Sequence, residues 1–173
     1  MRKYFRNISI MGRVIYIIYS LECYLRINDD LQKWHILFDA LWSYPQYEHA
    51  IDDYAYKVIE CMPETVLDER EDFTDFEYFN EAQLDELKEL YLHSSHTEVI
   101  ENLMKQINEI LSYNLYTTVY PPENYSLNVI NTTYHYIKKL LNENTPAMDD
   151  FKIYSIYEND CWGDFTKEFR AAN

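Results

Sequence analysis

Apolar residues recur at intervals of three and four along most of this chain, and the breaks between the stripes fall at asparagine, aspartate, serine and proline. Leu31, Trp34, Leu37, Phe38, Leu41 and Trp42 form one stripe. Asn28-Asp29-Asp30 supplies capping side chains ahead of it and Tyr44-Pro45 closes it, which predicts an amphipathic helix. Tyr47, Ile51, Tyr54, Val58 and Met62 form a second stripe that ends before Pro63, while Glu48, Asp52, Asp53 and Lys57 face away. Asn80 and Gln83 have the spacing of a capping box in front of Leu84, Leu87 and Tyr91. Ser95 and Glu98 repeat that spacing ahead of Val99, Leu103, Met104, Ile107, Ile110 and Leu111. Pro121-Pro122 introduces a last helix, from Glu123 to Leu141, with Tyr125, Val129, Thr133, Ile137 and Leu140 inward. With an apolar helix over residues 8–27, about six helices are expected.

The end of the chain departs from this pattern. Phe151 to Tyr157, FKIYSIY, is aromatic and β-branched without a helical stripe and follows Thr145-Pro146. It predicts a short strand or extended arm, so residues 146–173 form a C-terminal extended segment packed on the helices. Only Gly12 and Gly163 are glycine, which disfavours hairpin-rich folds and glycine-rich phosphate loops. The helical pairs at 30–62 and 81–111 share no repeat consensus. The expectation is an all-α, predominantly helical single domain over 1–173 with a short C-terminal arm.

Charge changes the picture from fold to partner. The formal charge of −15 accompanies a globular apolar content of 47%. Between Glu60 and Glu89 twelve acids face only Arg70 and Lys88, so this segment carries most of the field. That field repels nucleic acid and anionic membranes and steers basic partners inward. Arg2, Lys3, Arg6 and Arg13 lean the other way and are candidates to pair with the acidic middle. Cys23, Cys61 and Cys161 are widely spaced and read as idle thiols of a reducing compartment. The most apolar run, VIYIIYSL at 14–21, is far below the ~18 residues of a membrane span, and no signal-peptide cleavage pattern follows, so the expected location is cytoplasmic.

Candidate chemistry is sparse. His93 and His96 are spaced i, i+3, but no carboxylate or cysteine at a recognised spacing completes a metal set; His35 reads as a polar flank of the core and His135 as a stacking residue between Tyr134 and Tyr136. No nucleophile or metalloprotease motif stands out, and thirty acids give no reason to pick two for acid–base work. The expectation is a protein without catalysis, cofactor or metal.

The stretch DEREDFTDFEYFNE, Asp68 to Glu81, threads seven carboxylates through Phe73, Phe76, Tyr78 and Phe79. A solvating linker has no use for these rings, so the segment is expected to be ordered, rings inward and acids outward. Eighteen tyrosines are too many for the core alone, and tyrosine rimmed by acids suits contact with lysine and arginine. Tyr54 and Tyr91, on apolar stripes, are assigned to packing. The candidate partner contacts are Asp68, Glu69, Glu71, Asp72, Asp75, Glu77 and Tyr78.

Two stretches carry a family resemblance: MDDFKIYSIYENDCWGDF, Met148 to Phe165, and QKWHILFDALWSYPQYEHAIDDY, Gln32 to Tyr54. The first resembles the closing segment of bacterial immunity proteins that accompany polymorphic and contact-dependent growth-inhibition toxins. The second is similar in style, with paired tryptophans before a proline-punctuated helix. The resemblance implies a non-catalytic protein that binds its cognate toxin's C-terminal domain, commonly a basic nuclease, and blocks the active site or substrate channel. It carries over no residue-level motif. The alternative is an acidic DNA-mimic inhibitor of DNA-handling proteins from a phage or mobile element.

Overall fold

Helix α1 (Ile10–Asn28) starts where the Ser9 hydroxyl accepts the Gly12 N–H at 3.1 Å. Apolar residues surround its first three turns, and Ile10 to Ile18 are all buried, as befits a helix enclosed by others. The computed structural model describes residues 4–43, 51–115 and 125–163. The expected helix end at Tyr44-Pro45, the positions Tyr47 and Glu48, the Pro121-Pro122 entry with Glu123, and Arg2 and Lys3 lie outside the described residues.

The all-α expectation holds: among the described residues there are seven α-helices and no strand. Beyond α1 they are α2 (His35–Trp42), α3 (Ile51–Glu60), α4 (Pro63–Val66), α5 (Glu81–His93), α6 (Thr97–Leu115) and α7 (Tyr125–Leu141). The helix beyond the expected six is α4, because Pro63 occupies its first turn and starts a new helix as well as closing the stripe before it. Helices α1 and α6 form the inner pair, with α7 packed on both, α3 on α6 and α2 on α1.

Local signals act as expected in several places. Asp30 caps the 3-10 turn Leu31–Trp34, which runs into α2. Asn80 and Gln83 form both halves of their capping box, each bond 3.1 Å. The buried tyrosines Tyr54 and Tyr91 donate to the Leu41 and Cys61 carbonyls at 2.8 and 2.7 Å, so each ring fills the core while its hydroxyl satisfies a backbone acceptor.

Four expectations are corrected. α6 starts at Thr97, and its entry is closed by the Ser94 hydroxyl accepting from His96 N–H and by Thr97 donating to the Tyr91 carbonyl, in place of a Ser95–Glu98 box. Tyr125 faces outward, its ring stacked on Tyr113 at 4.1 Å and its hydroxyl donating to Glu109, while Val129, Thr133 and Ile137 are buried and Leu140 packs half-buried against the core as expected. Arg13 is buried and donates to the Ser126 hydroxyl at 2.6 Å and the Phe5 carbonyl at 3.2 Å, so it ties α1 to the start of α7 and is not aimed at the acidic middle. Burial pulls its guanidinium down to about 9.

The fourth correction is the tail. Residues 151–157 form turns, with a single antiparallel bridge between Ser155 and Ile8. Phe151, Tyr154 and Ile156 are all fully buried, and turning lets each of them reach the core where a flat strand would expose alternate residues. Ser9 N–H donates to the Tyr154 carbonyl at 2.8 Å and Ile156 N–H to the Asn7 carbonyl at 3.1 Å, which seats the tail against the entry to α1. Both glycines serve this junction. A Cβ on Gly12 would lie 2.6 Å from the Ile8 side chain and 2.7 Å from that of Tyr154, and Gly163 combines a φ of 97° with close approach to Ser9.

Gly12→Ala is therefore expected to destabilise by about 1–3 kcal/mol, although alanine is the better helix former by about 1 kcal/mol. Urea denaturation followed by circular dichroism measures it, and a midpoint at or above that of the parent would refute the close approach. No helix among the described residues is long and apolar enough to cross a membrane.

Candidate functional site

The acidic segment leaves α4 at Leu67 and reaches α5 at Asn80, and its acids divide into those that hold the segment and those that face solvent. Asp68 accepts three bonds from the Arg70 side chain and one from its N–H, and these hold its carboxyl down at about 2. Asp72 accepts from Thr74 N–H at 3.0 Å while Asp75 accepts from Asp72 N–H at 2.8 Å, a reciprocal box that closes the turn Phe73–Asp75. Glu60, at the end of α3, receives Glu77 N–H and Tyr78 N–H, one on each carboxylate oxygen at 2.8 Å. This bidentate anchor ties the exit of the segment to the helical body, and Glu60 lies outside the seven predicted contacts.

The rings separate likewise. Phe79 is buried and Phe76 and Tyr78 pack half-buried against the core, whereas Phe73 is 51% exposed, contrary to the expectation that all four point inward. The turn that Asp72 and Asp75 close carries Phe73 out with it. Tyr78 sits beside Asp53; partial burial, then the Asp53 and Glu77 charges, raise its hydroxyl above the ordinary value. Glu69, Glu71 and Glu77 present exposed carboxylates from this frame. Of the seven predicted contacts, these three are the clean acidic ones. Asp68, Asp72 and Asp75 also maintain local structure, and Tyr78 is half-buried.

Glu60→Ala is expected to free residues 77–78 without unfolding the helices. Loss of two charge-assisted bonds makes local opening easier by about 2 kcal/mol, so amide exchange there accelerates by about 30-fold. Unchanged exchange at Glu77 and Tyr78 would show that the anchor does not order the segment.

The two histidines of the i, i+3 pair line a separate cleft of about 560 Å³, where the end of α1, the turn 31–34 and the end of α5 meet. His93 accompanies Glu89 at 3.5 Å, and His96 bonds to the Tyr24 hydroxyl at 3.1 Å, so the pair is engaged with different partners. Among the described residues no group of three or more His, Cys, Asp or Glu is arranged to hold a metal. His35 is exposed beside Glu86 at 3.6 Å, and His135 meets Tyr134 and Tyr4 edge-on at the surface. Burial pushes the Cys61 thiol up to about 12 and raises Cys23 and Cys161, so all three stay protonated near neutral pH.

Comparisons with protein-family models, with curated proteins and with solved structures return no match. The resemblance to immunity proteins rests on the two stretches that carry it, of which residues 44–50 and 164–165 lie outside the described residues.

Proposed function

We propose that this protein is an immunity protein that binds and neutralises a cognate toxin domain, a basic nuclease, by covering its active site or substrate channel. The observation that carries this reading is the acidic segment itself: an ordered connection between α4 and α5, closed by the 3-10 turn Phe73–Asp75, that presents Glu69, Glu71 and Glu77 with the exposed ring of Phe73 among them. A nuclease offers lysines and arginines to phosphate, and carboxylates beside aromatic rings are their chemical complement. Order also matters, because a segment already held by Glu60 and by the Asp72–Asp75 box loses little conformational freedom on binding. Binding by such a surface blocks access and calls for no chemical step on the inhibitor.

The test is to mix the purified protein with the C-terminal domain encoded by the reading frame immediately upstream. A stoichiometric complex on gel filtration, with loss of nuclease activity, is the expected result. Failure to bind that domain, together with capture of several unrelated DNA-handling proteins, would overturn it in favour of the DNA-mimic reading.

A further inference from the structure

The cleft at the meeting of α1, the turn 31–34 and α5 is outside the acidic segment, and its chemistry selects a ligand of one sign. Its volume of about 560 Å³ is within the range of sites that take small molecules or short peptide segments. Half-buried Leu90 supplies apolar wall with the fully buried Trp34 next to the cleft, and Asp29, Glu86 and Glu89 set three carboxylates around it against one ammonium, Lys33. Asp29 lies deepest, with 21% of its side chain exposed, and already accepts the Trp34 indole N–H at 3.0 Å. Burial works to raise its carboxyl, but the bonds from Asp30 N–H and Trp34, with the Lys33 charge, outweigh this and hold it below the ordinary value. Lys33 reaches Asp29 at only 3.4 Å and is more than half exposed, so it is a loose counter-ion. Glu86 and Glu89 stand at the rim, near His35 and His93 at 3.6 and 3.5 Å.

We infer that this cleft receives an arginine or lysine side chain of the basic partner, its methylene stem against Leu90 and its cationic head among Asp29, Glu86 and Glu89. The partner's identity rests on the proposed function; the preference for a cation rests on the cleft alone. It adds a second contact region to the acidic segment, an open cleft where the segment offers only a face.

The probe is acetyl-Gly-Arg-Gly-amide, titrated into the full chain while the indole N–H resonance of Trp34 is followed by NMR, with acetyl-Gly-Gln-Gly-amide as the neutral control. A saturable shift with the arginine peptide alone is expected. The double variant Glu86→Gln/Glu89→Gln, both side chains being exposed, is expected to weaken binding about five- to tenfold. Lys33→Gln, which removes the competing ammonium, is expected to tighten it, an opposite sign that general damage to the fold would not produce. No saturable shift, or a shift shared by the neutral peptide, or indifference to all three substitutions, overturns the inference. Because the peptide assay contains no toxin domain, its failure leaves the proposed function standing, and failure of the toxin domain to bind leaves the peptide result standing.

Discussion

Trp34→Ala is expected to lower the free energy of unfolding by about 3–5 kcal/mol, the largest loss of any single tryptophan in this chain. The ring is fully buried, lies 5.8 Å from that of Tyr91, and donates its indole N–H to Asp29. Truncation removes the packing between the 3-10 turn and α5, leaves a void too rigidly walled to collapse, and withdraws one of the bonds that hold the Asp29 carboxylate. Trp42, eight residues on, is half-buried and donates to the Glu22 carboxylate at 3.0 Å, so Trp42→Ala is expected to cost about 1–2 kcal/mol. Urea denaturation of the two variants under one set of conditions measures both. Equal losses, or a loss under 1 kcal/mol for Trp34, would contradict the placement of the ring.

Neutralising Glu69, Glu71 and Glu77 together is expected to slow association with the proposed toxin partner about tenfold at low salt, with much smaller change in dissociation. These carboxylates are exposed, so they act through a field that reaches only about 8–10 Å at physiological ionic strength, and added salt should narrow the gap between variant and parent. Asp72 and Asp75, attractive from sequence, are poorer targets: their neutralisation also removes the box that closes the turn carrying Phe73, which mixes loss of charge with loss of order. The matched control is Glu143→Gln/Asp149→Asn/Asp150→Asn, three exposed acids after α7. Surface plasmon resonance or stopped-flow at two salt concentrations gives both rate constants. Equal slowing by the control would assign the effect to net charge alone.

What could be read from the sequence was local. The Asn80–Gln83 box requires only residues three apart, and the stripe Leu84, Leu87, Tyr91 needs only helical geometry to become a buried face. The arm departs from a strand because its conformation is set at a distance: Phe151 and Tyr154 reach α1 at Tyr16 and Gly12, Ile156 bonds to Asn7 just ahead of it, and nothing within FKIYSIY records that surface. Arg13 departs from expectation for the same reason, since its acceptors include the distant Ser126 and the Phe5 carbonyl. In the candidate site, the number of acids was legible but their division of labour was not. Glu60 becomes the anchor of residues 77–78 only once α3 and the segment lie side by side, seventeen and eighteen positions apart in the chain. The alternation of short-range boxes offered a partial signal, because Asp72 and Asp75 stand at capping-box spacing.

The measurement that tests the central claim most directly is growth on co-expression of this protein with the C-terminal domain of the protein encoded immediately upstream. The account predicts that the domain alone arrests growth, that the parent chain restores it, and that Glu69→Gln/Glu71→Gln/Glu77→Gln restores it less well than the control triple variant at equal expression. A domain that arrests growth regardless of this protein would contradict the account.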